Sequence, residues 1–330
     1  MDRILTVSIA AYNREKDLAN ALDSFISVKT SELVEVLIVD DGSTDRTAEI
    51  AQVYESRYPG LFRLVTKENG GWGSTVNRGL KEAEGKYFKV LDADDLFNKD
   101  CLDEYLDYLQ TTDSDLVCTG YIANHLRTNK QIEHNRAHDG IEYRKTYSVE
   151  DVIDRIPMHI HSLTFKTDKL RKNNVFLTEH SFYVDKELNA KGLLSASTVS
   201  FIDMNVYIYN KEVEGQSMSV EGLSRHIDEH TNVCLELTEL AECAGTPEKK
   251  RFLMKYAAQS ISRNYNYLLL IDSSEHNKQV LMDFNKAVKQ NSYYYSNRGV
   301  PRTFGFFEAT GFVLYPLMMK YYHSRLTIST

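Results

Sequence analysis

Apolar runs and amphipathic stretches alternate through the first 120 residues with little ambiguity. Runs of Val, Ile, Leu and Phe at 4–10, 34–39, 62–66, 86–91 and 114–118 predict strands. Stretches at 15–27, 44–57, 74–84 and 100–110 carry apolar residues at helical spacing and predict the helices between them. Ser43 or Thr44 is placed to cap the second helix, with Asp45 favouring its positive end, and Gly85 to end the third. Such alternation predicts a parallel sheet covered on both faces.

The rhythm is lost over 121–215. A polar stretch from Asn124 to Arg144, holding His125, His134 and His138, precedes IPMHIHSLTFKTD, TEHSFYVDKELNAKG and an apolar strand near 198–209. Mixed strands and loops against one sheet edge fit this composition. From 220 to 291 the pattern turns helical, at 223–243, 248–271 and 276–291, with a break at Thr246-Pro247. The division predicts a first domain over 1–215 and a C-terminal helical region over 216–330 that contacts acceptor, partner or membrane. The tail RTFGFFEATGFVLYPLMMKYYHSR has roughly 16 apolar residues broken by Glu308 and Pro316, too few to span a bilayer. A buried helix fits it, as does an interfacial segment flanked by Arg302, Lys320 and Arg325.

Composition narrows the class. At 330 residues, 42% hydrophobic and 26% charged, the chain has the make-up of a cored protein of one large or two unequal domains. A formal charge of −8 argues against a nucleic-acid partner. Four cysteines without CxxC or Cys/His spacing indicate neither zinc nor a disulfide framework. The opening MDRILTVSIAAYNRE is a poor signal peptide, with an acid at position 2, and reads as a buried first strand. A cytoplasmic enzyme follows, with peripheral contact on the inner face of the membrane through the tail left open.

Two acidic steps carry the candidate chemistry. KYFKVLDADDLF is a short strand ending in Asp92, Asp94 and Asp95, and EVLIVDDGSTDRT ends in Asp40, Asp41 and Gly42. Either alone reads as a solvated turn. In a doubly wound sheet both reach the same carboxyl edge, where such folds bind ligands. An Asp-x-Asp step there suits a hard divalent ion bridging to phosphate oxygens, and the other pair suits a nucleobase N–H. A third element, KENGGWGSTVNRGL, lets backbone approach closely at Asn69-Gly70-Gly71 and opens a helix whose N–H groups favour an anion. It lacks the GxGxxG pattern of a dinucleotide enzyme. Trp72 reads as a stacking platform or as packing. His159 and His161 alternate as on a strand face beside Ser162, lining a cleft or serving as satisfied structural residues.

VSIAAYNRE, VDDGSTD, ENGG…NRG and LDADD, in this order and spacing, resemble the family 2 glycosyltransferases with a GT-A fold, of the bacterial, non-processive, inverting type. The likeness covers residues 4–110 closely and extends to 215. It implies a mixed, mainly parallel sheet flanked by helices, a nucleotide-sugar donor, most simply UDP-linked, and Mn²⁺ or Mg²⁺. On this resemblance Ala10 and Tyr12 line the nucleotide site from the first loop, Asp41 faces the base, and Asn69 and Gly70 lie near the nucleotide. Asp92 lies near the ribose, Ala93 belongs to the nucleotide-sugar site, Asp94 is the metal ligand, and Asp95 has no fixed role.

The family's catalytic base comes from an acidic pair beyond this point. The matching stretch is SFYVDKEL, with Val184 in place of the first acid and Asp185 as the base; Glu179 and Glu187 are lesser candidates. A helix N-cap is the structural alternative for Asp185. VEGQSMS and LSRHIDEH resemble a loop closing over the donor, which gives Arg225 to the diphosphate and His226 to the metal, against a solvated helix start. The absence of a QxxRW signature favours addition of single sugars to a glycan, lipid-linked or protein acceptor. A sugar-1-phosphate nucleotidyltransferase is opposed by the lack of glycine in AAYNREKDL, and a sugar-binding scaffold without turnover is invited only by Val184. Donor sugar, linkage and oligomeric state have no readable code.

Overall fold

Strand β1 (Leu5–Ala11) is buried along nearly its whole length, because side chains on both faces meet helices. It pairs in parallel with β2 (Val34–Asp40) and β4 (Tyr87–Asp92), and β3 (Phe62–Thr66) pairs in parallel with β2. Helices α1 (Leu18–Asp23), α2 (Thr30–Leu33), α3 (Thr47–Arg57), α4 (Gly71–Glu82) and α5 (Leu102–Thr111) fall between or after these strands. Leu5, Val7 and Ile9 share one core with Leu18, Ala51 and Leu102. On the opposite face α4 lies so close that a Cβ at Gly79 would stand 2.0 Å from Ser8 Oγ.

The computed structural model describes residues 3–26, 30–134, 140–211 and 220–324. His138, Arg325 and the whole VEGQSMS stretch of the expected closing loop, 213–219, lie outside the described residues. Contacts divide the chain into two compact units, Met1–Val213 and Glu214–Thr330.

The first unit departs from pure parallel winding after β4. It continues through β5 (Leu96–Phe97), β6 (Leu116–His125), β7 (Lys130–Glu133), β8 (Thr146–Ser148), α6 (Val149–Val152), β9 (Leu163–Lys166), α7 (Thr167–Lys172), α8 (Asp185–Ser195) and β10 (Thr198–Lys211). The sheet order is β3-β2-β1-β4-β9-β6-β10-β5, with β7 on β6 and β8 on β10. β9 inserts antiparallel between β4 and β6, so these two parallel-wound strands never touch edge to edge. His159 and His161 sit at a 3₁₀ turn, Ile160–Ser162, and not on a strand face.

Two expected helix boundaries fall elsewhere. Helix α3 starts at Thr47, and Asp45 Oδ1 accepts Thr47 N at 2.9 Å, whereas Ser43 and Thr44 bond to Asn13. Asp45 wins because a carboxylate two residues ahead reaches both the amide and hydroxyl of Thr47. Helix α4 ends at Glu82 with Ala83 extended. Gly85 serves close approach: its N–H donates to Thr6 Oγ1, and a Cβ would meet Thr6 N at 2.4 Å.

The second unit is helical: α9 (Val220–Arg225), α10 (Ile227–Glu242), α11 (Pro247–Leu268), α12 (Glu275–Lys289), α13 (Ser292–Ser296), α14 (Arg302–Ala309) and α15 (Tyr315–His323). Thr246 Oγ1 accepts Lys249 N and Pro247 occupies the first turn of α11, where its missing N–H costs nothing. Inside this unit the buried His230 Nδ1 and Asn264 Oδ1 pair at 2.8 Å. Among the described residues no helix is long and apolar enough to cross a membrane. The tail forms two short helices with a corner at Gly311-Phe312 in place of one buried helix.

Because Gly85 stands against backbone that cannot swing away, Gly85→Ala is expected to destabilise the first unit by about 1–3 kcal/mol. Thermal unfolding followed by circular dichroism measures this, and an unchanged Tm contradicts it.

Candidate active site

Register brings the acidic steps together. Ala10 faces Asp92 across β1–β4, and Ala11 faces Asp40 across β1–β2. The carboxyl ends of three strands therefore form one edge. The loop after β1 is stitched to the loop after β2: Asn13 N donates to Ser43 Oγ, Arg14 N to Thr47 Oγ1 and Glu15 N to Asp45 Oδ2. Tyr12 rides on that loop, 49% exposed.

Asp41 is the hub of the glycine loop. Its Oδ1 accepts Gly70 N at 2.9 Å and Lys67 Nζ at 2.6 Å, and its Oδ2 accepts Gly71 N at 2.8 Å. Asn69 Nδ2 donates to the Asp41 carbonyl while the Asn69 residue itself is exposed. The buried carboxylate thus fixes the entry of α4 and carries internal donors from Lys67, Gly70, Gly71 and Ser74 before any base approaches.

Asp92, Asp94 and Asp95 point to different partners. Asp92 Oδ1 accepts Trp72 Nε1 at 2.7 Å. Asp94 faces the Arg14 guanidinium at 3.7 Å. Asp95 turns inward, where Tyr207 OH donates to Oδ2 at 2.5 Å and Asn210 N to Oδ1 at 2.7 Å. Burial lifts all three carboxyls above the usual range. Asp92 reaches about 7, pushed first by burial and next by the charge of Asp94, against the Trp72 hydrogen bond. Asp94 rises from burial, opposed by Arg14, and Asp95 rises from burial and the neighbouring acids.

Asp185 joins this group from far along the chain. Its charge is among those raising Asp92, and burial raises its own pKa against the pull of Lys186. It opens α8 as the first helical residue; Val184 holds the cap position, so the N-cap alternative does not describe it. The preceding loop is clamped to the glycine loop, with His180 N donating to Gly70 O at 2.5 Å. A Cβ at Gly73 would stand 2.2 Å from Thr178 O, which is why glycine is needed there. His180 and Tyr183 take φ of 53° and 64°, left-handed strain held between the two anchors. Glu187 is wholly buried and accepts Thr178 N and Lys191 Nζ, and Glu179 accepts from Asn77, so both brace the loop.

His161 completes the cluster. One ligand atom each from Asp92, Asp95 and His161 lies within 4.8 Å of the others. The imidazole stacks on Tyr209 at 4.5 Å and lies 4.6 Å from Tyr207, and its Nδ1 is buried without a hydrogen-bond partner. Burial holds it well below the usual histidine range, hence neutral, the form that ligates metals. Two carboxylates and a neutral imidazole whose Nδ1 is orphaned fit a divalent cation. Lys89, wholly buried in β4, donates to the carbonyls of His161 and Leu163 and fixes this segment; burial lowers its pKa to about 7.

Comparison with known proteins decides the family. The sequence model described as glycosyl transferase family 2 matches residues 6–187, more than half of the chain. The chain belongs to this family. It is a glycosyltransferase. An uncharacterized glycosyltransferase of Mycoplasma genitalium is 28% identical over 250 residues, 71% of this chain and 78% of that protein. The poly(ribitol-phosphate) β-N-acetylglucosaminyltransferase TarS of Staphylococcus aureus is 26% identical over 65% of this chain and 36% of its own length. Residues 1–349 of TarS in complex with UDP-GlcNAc share the fold, with TM-score 0.65 and 24% identity over 86% of this chain and 81% of that one. A mannosyltransferase from Pyrobaculum calidifontis in complex with GDP-Man and Mn²⁺ shares it at TM-score 0.51 and 15% identity, over 97% and 87%.

The residues expected from the sequence have partners of their own in this structure. Asp94, expected at the metal, pairs with Arg14, while the clustered donors are Asp92, Asp95 and His161. Ala93 is buried between the acids. Arg225, ion-paired with Glu221, and His226, bonded to Glu229 at 3.0 Å, belong to the second unit. Arg14, Tyr207 and Asn210 went unread because only folding brings residues so distant to the acids. Trp72, the one tryptophan of the chain, carried a signal in its place beside two glycines.

Because Trp72 donates to Asp92, its fluorescence should change when Mn²⁺ is titrated into the protein. An emission spectrum that stays constant through saturation, measured in parallel by calorimetry, contradicts a cation at this cluster.

Proposed function

We propose that this glycosyltransferase moves a single sugar from a nucleotide donor, UDP-linked, to a hydroxyl of a glycan, wall-polymer, lipid-linked or glycoprotein acceptor, with inversion and with Mn²⁺ or Mg²⁺. The observation that carries the reading is the convergence of Asp185 with Asp92 in one half-buried group at the carboxyl edge of the sheet. Such a group combines a base with acids suited to a cation. The UDP-GlcNAc bound to TarS and the Mn²⁺ of the archaeal mannosyltransferase support the donor class and the ion.

Asp185 takes the proton of the acceptor hydroxyl as its oxygen attacks the anomeric carbon. The bond from that carbon to the diphosphate oxygen breaks, and nucleoside diphosphate leaves from the opposite face. A carboxyl raised by burial is a stronger base than one in water, which suits this task. Asp92, Asp95 and His161, with Asp94 beside them, are the residues that would hold the cation. The ion supplies positive charge against the diphosphate as it departs. Ala10, Tyr12, Asp41, Asn69 and Gly70 are proposed to hold the nucleotide, Asp41 both by shaping the loop and by its Oδ2 facing the base.

Asp185→Asn is expected to lower kcat by about 10²–10⁴-fold with the donor KM little changed. Release of UDP from a panel of UDP-sugars in the presence of Mn²⁺ and acceptor checks it; full turnover by the variant refutes the base. NMR of the product's anomeric proton tests inversion.

The cation also has a pH signature. Asp92 is raised from 3.8 to about 7, so its proton stabilises the fold fully below 3.8, and that stability is lost as pH rises through 7. A cation replaces the missing proton. Mn²⁺ should therefore raise Tm more above pH 7 than below it, as read by differential scanning fluorimetry. Equal shifts on both sides contradict the role of Asp92.

A further inference from the structure

The end of the second unit turns an apolar surface to water. Phe306, Val313 and Leu317 are 61%, 77% and 58% exposed, three large apolar side chains in one short stretch. Both helices there are two-sided. In α14, Phe304 and Phe307 are buried while Arg302 and Phe306 face out; in α15, Met318 and Tyr322 are buried while Leu317 and Lys320 face out.

The corner between them sharpens this division. Gly311 and Phe312 both take positive φ, 61° and 59°. Left-handed backbone is unfavourable for phenylalanine, so the surroundings must hold it. The turn packs Phe312 on Phe304, ring centroids 5.7 Å apart, and leaves Val313 outside.

Charge selects the partner. The one acid in 301–324 is Glu308, and it is turned inward to Arg298 at 3.1 Å, Asn285 at 3.0 Å and Lys289. The stretch therefore offers water the cations Arg302 and Lys320 beside the apolar residues and no exposed carboxylate of its own. This holds within a chain of net charge −8. Apolar residues edged by cations match the boundary between acyl chains and anionic headgroups.

We propose that α14 and α15 form a membrane-docking surface. Phe306, Val313 and Leu317 enter the headgroup–acyl boundary, and Arg302 and Lys320 meet the phosphates of anionic lipids. The inference is independent of the donor, the metal and the base.

The test is co-sedimentation of the full chain with vesicles of phosphatidylcholine alone or mixed with phosphatidylglycerol. The wild type should bind the mixed vesicles and bind less as salt rises. Phe306→Ser/Val313→Ser/Leu317→Ser should weaken binding by roughly tenfold or more, and Arg302→Gln/Lys320→Gln should remove the preference for phosphatidylglycerol. Circular dichroism of both variants should match the wild type, and a third variant, Leu317→Ala, repeats the test if the triple variant misfolds. No binding to mixed vesicles, or binding unchanged in the variants, overturns the proposal. So does a lipid-free dimer in sedimentation velocity that the apolar substitutions abolish, since the surface would then serve a second copy. UDP release by the soluble wild-type chain reads the proposed activity separately.

Discussion

Four carboxylates gather at the end of the central strands, and the cost of withdrawing them from water, with repulsion from neighbouring acids added at Asp92 and Asp95, is the constraint around which the first unit is arranged. Asp92, Asp94, Asp95 and Asp185 would separate or stay protonated if left alone. Each instead has its own relief. Trp72 donates to Asp92, Arg14 faces Asp94, Tyr207 and Asn210 hold Asp95, and the start of α8 presents its backbone to Asp185. The relief is incomplete, since every one of these acids still sits above its usual pKa. A site of this kind stores affinity for positive charge.

Keeping Asp185 in that space depends on two glycine-rich contacts rather than on sheet pairing. Asp41 fixes the entry of α4, Gly70 accepts the His180 amide, and Gly73 lets the Thr178 carbonyl approach. Asn77 then bonds Leu177 on both sides. One carboxylate just after the second strand thereby sets the position of another more than a hundred residues later. The glycines are part of the base's support, although they touch no substrate.

The central strands were legible because strands buried on both faces are continuous apolar runs, and β1, β2 and β4 are such runs. The four short motifs carried the family for the same reason: they are local. What stayed unread depends on contacts across the chain. Nothing near His161 announces that it will meet Asp92 and Asp95, and nothing near Tyr207 announces Asp95. Helix boundaries slipped where a side chain chose a different partner, as Ser43 did in bonding to Asn13. The tail reads as one apolar block, and only the left-handed corner at Gly311-Phe312 divides it into an inward and an outward part.

The insertion of β9 between β4 and β6 bears on how the molecule is made. A growing chain that has emerged only through His125 holds two strands whose shared neighbour does not yet exist. Their facing edges keep unpaired N–H and C=O groups until Leu163–Lys166 is synthesised and turns back between them. The same return carries His161 to the acids. Insertion of β9 and arrival of His161 at Asp92 and Asp95 are therefore one event, and a chain that stops before His161 has neither.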